Sequence, residues 1–261
     1  MSDHYMNSFL SDVFFSALFV LALAAYVTAA ILSSRKYKQW PRARYVYLFF
    51  GVLSAAVVMV GPLANRAHDD FVAHMVGHLL LGMLAPLLIA LAAPMKLMLR
   101  TLPVHTARRF TRLLKSWPFR LASDPIGASL LNIGGLWLLY TTDLYMMMQQ
   151  SFIVHLLVHI HVFLAGYLFT ISMIYIDLSP HRTSYIYRTI VFIIALAGHG
   201  ILSKYIYAHP PAGVPREQAE IGGKIMYYGG DLIDIVLIFI LCLHWFRATR
   251  PQTSTKVHQF Q

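Results

Sequence analysis

One cysteine, Cys242, stands in 261 residues. An intramolecular disulfide is therefore impossible, and so is a CxxC redox or zinc motif. Any metal held here must be held by histidine, methionine or carboxylate. Charge is scarce as well. Asp, Glu, Lys and Arg make up 12% of the chain, about half of what a soluble domain carries. Hydrophobic residues make up 58%, and the mean hydropathy is +0.60. Low-complexity segments, linkers and internal repeats are missing too. Residues 1–250 accordingly read as a single transmembrane helical domain, and 251–261 as a polar tail.

Long apolar runs are abundant. A membrane crossing needs about 20 mostly apolar residues. Seven stretches qualify, at approximately 9–32, 45–64, 71–95, 125–142, 152–176, 187–207 and 230–247. The predicted fold is an all-α integral membrane protein, a bundle of seven transmembrane helices. The first run has no positive segment before it and is followed by Arg35, Lys36 and Lys38, so it reads as a retained helix and not a cleaved signal. Asn132 and two glycines interrupt the fourth run. The seventh begins with Asp231 and Asp234 before turning apolar from Ile235 to Phe246.

A net charge of +10 raises the question of nucleic acid, and its distribution answers it. Seventeen of the 21 Lys and Arg fall in the loops between runs one and two, three and four, five and six, and after run seven. Only Arg66, Lys204, Arg216 and Lys224 fall on the other side. Such a bias marks cytoplasmic loops. It puts the N-terminus outside and the C-terminus in the cytoplasm, and it leaves no role for nucleic acid. In the longest basic loop, Phe110, Leu113, Leu114 and Trp117 recur at helical spacing beside Arg108, Arg109, Arg112 and Lys115. This fits an amphipathic helix on an anionic leaflet and equally a solvated basic loop. The stretch AHPPAGVPREQAEIGG, from Ala208, reads as irregular because of its prolines and glycines.

Topology also sets depth. At about 1.5 Å per residue, His74 and His78 lie roughly 5 and 10 Å below the outer boundary, His155 and His159 roughly 5 and 12 Å, and His199 about 12 Å. Asp231 and Asp234 fall within roughly 8 Å of it by the same count. Four helices thus deliver ionisable groups to one slab, where such residues normally face the bundle interior and mark function. His74/His78 and His155/His159 are each four apart and share a helix face; His161 points the other way. Two facing HxxxH pairs offer up to four imidazole nitrogens to one metal. Met75 sits inside the first pair, Met146, Met147 and Met148 precede span five, and His68, Asp69 and Asp70 precede span three. Thioethers with imidazoles favour Cu(I).

Plainer roles compete for each residue. A membrane histidine such as His199 commonly bonds a neighbouring helix, and methionine commonly packs. Asp69 and Asp70 suit a helix N-cap. Asp124 before Pro125 suits a helix start, and Gly134, Gly135, Gly198 and Gly200 suit close helix contact. The two matched HxxxH pairs are the feature that packing explains least.

These residues also carry a resemblance. AHMVGHLLLGMLAPLLIALAAP, from Ala73, resembles the signature of the seven-span CtaG-like cytochrome c oxidase assembly factors. HLLVHIHVFLAGYLF, GHGILSKY and GGKIMYYGGDLIDIVL fit the same pattern, so the likeness covers nearly the whole chain. It implies a membrane protein needed to assemble a haem–copper oxidase by handling copper on the outer face. The family pattern maps onto His74, Met75 and His78, onto His155 and His159, and onto Gly230 and Asp231. Two positions depart from it. Gly77 stands where the family often has glutamine, and Val158 where it often has an acidic residue.

The expectation is a copper-binding assembly factor of the bacterial cytoplasmic membrane. It would pass Cu(I) by ligand exchange to a haem–copper cytochrome c oxidase from the outer side, without being an enzyme. Its expected ligands are His74, His78, His155 and His159, supported by Met75, His68, His199 and Asp231. Its expected partners are oxidase subunits, an extracytoplasmic copper donor protein and the lipid bilayer. Three rivals use the same residues. One is a zinc-dependent intramembrane hydrolase with a span-seven carboxylate as base. Another is a b-type haem protein held between His78 and His155 or His159. The last is a copper importer, against which stands the lack of any ion site legible in the inner half.

Overall fold

Polar residues start the helices that the apolar runs form. Asp70 accepts the backbone N–H of Val72 at 2.8 Å, and Asp124 accepts that of Ile126 at 3.0 Å. Ser151 and Ser184 do the same for Val154 and Tyr187. Each satisfies a donor that has no partner within its own first turn. The computed structural model describes residues 2–177 and 182–250, and every regular element among them is helical. The polar tail at 251–261 lies outside the described residues.

In chain order the helices are α1 (Ser2–Lys36), α2 (Arg42–Met59), α3 (Pro62–Arg66), α4 (Phe71–Leu79), α5 (Ala85–Ala92), α6 (Pro94–Thr101) and α7 (Val104–Leu114). They continue as α8 (Trp117–Ala122), α9 (Pro125–Ser129), α10 (Gly135–Thr141), α11 (Leu144–Gln150), α12 (Phe152–Met173), α13 (Tyr185–Ala208) and α14 (Arg216–Thr249). A π-helical turn, Leu80–Leu84, joins α4 to α5, and a second, Leu130–Gly134, joins α9 to α10. Among the described residues six helical stretches are long and apolar enough to cross a membrane. They make this a multi-pass membrane protein. The seventh expected crossing, α9 through α10, is helical but shorter than these.

The α4–α5 rod is central, packed against α2, α12 and α14, while α13 and α14 lie along each other. Pro86 explains its π turn. Proline has no N–H to give the carbonyl four residues back and would clash with it, and that carbonyl belongs to Gly82. Gly166 on α12 comes so close that a Cβ there would stand 2.1 Å from the Gly82 oxygen. Only glycine admits this approach of the two backbones.

Three differences from the sequence expectation matter for the site. Helix α14 begins at Arg216, fourteen residues before the expected start, because REQAE after Pro215 is a good helix opening despite the prolines before it. Asp231 and Asp234 therefore lie well inside a 34-residue helix and not at its mouth. The Met146–Met148 segment is helical, and Met148 is buried in the core. The basic loop does form an amphipathic helix, α7, with Leu114 buried and Arg108, Arg109 and Arg112 exposed.

Candidate metal centre

The histidines come together in three groups. His68, just before α4, stacks on His155 with ring centroids 5.0 Å apart, and His155 stacks on His159 at 4.1 Å. His68 is exposed and the other two are half-buried, so this ladder forms the rim of the bundle. His159 Nδ1 donates to the carbonyl of His155, one turn back, at 2.9 Å. That bond fixes the tautomer and leaves the Nε2 lone pair free, as metal-ligating histidines require. His155 Nδ1 is buried without a partner.

His74 is already engaged. Its Nε2 lies 3.0 Å from the Tyr140 hydroxyl, and the rings of Phe71, Tyr140 and Tyr145 surround it at 5.1 to 6.0 Å. Burial pushes the Tyr145 hydroxyl above its ordinary pKa, against the lowering effect of the Gln149 amide bonded to it, so this wall carries no charge. His74, His78 and His159 all line one cavity of about 20 Å³, together with Tyr140 and Gly77. That is room for a single water or ion.

His78 faces the other way as well. It lines a second cavity of about 20 Å³ with His199, Asn132, Thr170 and Asp234. The rings of His78 and His199 are 6.2 Å apart, and the Nε2 atoms of both are buried without partners. Both π turns border this cavity, through Gly82 and Met83 on one side and Asn132 and Ile133 on the other. Such turns recur at functional sites. Gly230 lets His199 in, since a Cβ there would stand 2.5 Å from the ring.

The remaining candidates are placed less favourably. Met75 is fully buried among Phe71, Leu202, Ile206 and Met226, so its thioether packs in the core. Asp231 is exposed on α14, while Asp234, one turn on, is 4% exposed and lines the inner cavity. The two do not share a buried face, and Asp234 is the carboxylate that the sequence reading underrated. His161 bonds the Leu131 carbonyl at 3.1 Å and braces the second π turn.

Among the described residues no three His, Cys, Asp or Glu side chains converge closely enough to hold an ion. Of the four imidazoles expected around one metal, His74, His78 and His159 line the outer cavity, while His155 stands in the rim ladder. The unpartnered donors are imidazole nitrogens, which suit zinc, copper or iron. Among the described residues, three of the seven buried side-chain N and O atoms without a hydrogen-bond partner are imidazole nitrogens of His78, His155 and His199. Each such atom costs about 1–3 kcal/mol unless something binds it.

The family model described as cytochrome c oxidase caa3 assembly factor matches residues 24–248. An uncharacterized protein of Mycobacterium leprae (strain TN) is 25% identical over 258 residues, which covers 90% of this chain and 39% of that relative. The chain thus spans about two fifths of the length of the curated relative it matches. No solved structure matches.

Proposed function

The chain belongs to the cytochrome c oxidase caa3 assembly factor family, and from that premise we propose that it delivers Cu(I) to the oxidase from the outer side of the membrane. In this reading α9 through α10 supplies a seventh crossing, and the one-sided distribution of Lys and Arg puts the histidine rim outside the bacterial cytoplasmic membrane. An assembly role suggests cargo handling and not catalysis. The observation that carries the proposal is the set of unpartnered imidazole nitrogens on His78, His155 and His199.

At the rim, His155 and His159 are the entry ligands, with His68 stacked on them. The bond from His159 Nδ1 to a carbonyl holds Nε2 as an acceptor for the metal. His74 is a positioning residue here, held by Tyr140 between the rim and His78. Transfer is ligand exchange: each new imidazole bond forms as an old one is lost, with no change in copper oxidation state. Oxidase subunits receive the ion, and an extracytoplasmic copper donor protein supplies it.

The test has two arms. Purified His155→Ala/His159→Ala protein should hold Cu(I) at least tenfold more weakly at the rim than the wild type. Cells carrying it should make oxidase depleted in copper. Fully active oxidase from the double variant would sink the proposal.

A further inference from the structure

The inner cavity contains a buried carboxylate without a counter-ion. Asp234 is 4% exposed, and among the described residues no cationic side chain lies within salt-bridge distance of it. A buried carboxyl group with no cation beside it stays neutral, and it ionises when a cation binds next to it. Facing the same space are the imidazoles of His78 and His199, 7% and 5% exposed, whose Nε2 atoms have no partner. The sequence places His78 and His199 near this depth but puts Asp234 closer to the membrane surface. Counting from Ala208, His199 lies about 13 Å along α13, and Asp234 is one helical turn below the Gly230 that touches it.

The ring spacing admits one ion between the two imidazoles. A metal–nitrogen bond of about 2 Å puts two ring centres on one two-coordinate ion about 6 Å apart, and those of His78 and His199 are 6.2 Å apart. Zinc wants four ligands, and magnesium or calcium wants six or more oxygens. The cavity offers two imidazoles beside the Asp234 carboxyl and has room for about one water. Among the described residues no three His, Cys, Asp or Glu side chains converge into the ligand set that zinc takes. A soft monovalent ion that accepts two nitrogens fits, and a single carboxylate balances its charge.

We propose that this cavity is a second copper site, in which His78 and His199 hold one Cu(I) through their Nε2 atoms while Asp234 balances its charge. The proposal rests on the copper reading above and adds a holding position beneath the rim. His78 lines both cavities, so it is the ligand through which the ion passes from one to the other. No redox step is involved. One imidazole bond replaces another.

The test is an anaerobic Cu(I) titration of the detergent-purified full chain against a chromogenic Cu(I) chelator. The wild type should hold two equivalents and His199→Gln one, while His155→Ala/His159→Ala should keep the inner one. His199→Met, which restores a soft ligand, should recover the second equivalent, as a merely structural role for His199 would not allow. Asp234→Asn should weaken the inner site at least tenfold. Two equivalents retained by His199→Gln, or a wild type that holds a single equivalent and loses it with the rim pair, would overturn this second site and leave the delivery role standing. A wild type that binds no Cu(I) would remove both. If His199→Gln does not fold, X-ray absorption of wild type carrying two equivalents decides: two-nitrogen linear coordination is expected for half the copper, and its absence overturns the site.

Discussion

The central rod is interrupted twice within fifteen residues, and the two interruptions are built differently. At Ala93 the chain turns left-handed, with φ of 55°, between α5 and α6. Every exposed end there is tied. The Tyr26 hydroxyl donates to the Ala92 carbonyl at 2.7 Å and accepts from Trp40 Nε1 at 2.9 Å. Asp177 accepts the N–H groups of Met95 and Lys96 and the Tyr167 hydroxyl, at 2.8 to 3.0 Å. At the π turn Leu80–Leu84, by contrast, the polar groups nearby, His78 and His199, leave nitrogens unpartnered. A joint that only has to hold is saturated with hydrogen bonds. The other borders a cavity and leaves imidazole nitrogens without partners.

Substitutions can break this contrast, and the largest effect falls on the saturated joint. Asp177→Ala should destabilise the protein by about 3 kcal/mol or more, because it strands two backbone donors and a buried hydroxyl at about 1–3 kcal/mol each. Thermal unfolding in detergent reads this directly, and a shift of under a degree would show the joint is not held by its hydrogen bonds. Tyr26→Phe removes the link between Trp40 and Ala92 and should cost about 1–2 kcal/mol by the same measurement.

How much of this was legible in sequence depends on the range of each interaction. The cap residues Asp70 and Asp124 are local patterns, and each caps the helix that its position predicts. Asp177 was not legible, since the N–H groups it takes lie 81 and 82 residues away. Asp234 was half-legible. Its place at the start of the seventh apolar run is legible, but the prolines after Ala208 hide the helix start at Arg216 and so hide its depth. The helix opening PREQAE was the available signal. The division of the imidazoles into rim and cavity depends on rotamers and on Gly230, which no periodicity reveals.

The open joint predicts the opposite sign. His199→Leu removes an unpartnered nitrogen from the interior, so in the metal-free protein it should raise stability by about 1 kcal/mol, the desolvation cost recovered less some misfit. The midpoint of unfolding should rise while Cu(I) binding falls. Loss of stability comparable with Asp177→Ala would mean that the two joints are alike after all.

The smallest effect belongs to Ala93→Gly. Left-handed backbone costs a side-chain-bearing residue about 1–2 kcal/mol, which glycine would relieve. Against that, glycine loses about 0.4–1 kcal/mol through the greater freedom of its unfolded chain. The buried methyl of Ala93, 0% exposed, forfeits about 0.8 kcal/mol more. The contributions cancel to within about 0.8 kcal/mol, so the unfolding midpoint should move little. A clear rise would show that Ala93 carries strain its hydrogen-bonded neighbours must offset. A clear fall would show that the methyl contact against its neighbours, and not the tied backbone ends, holds this joint in place.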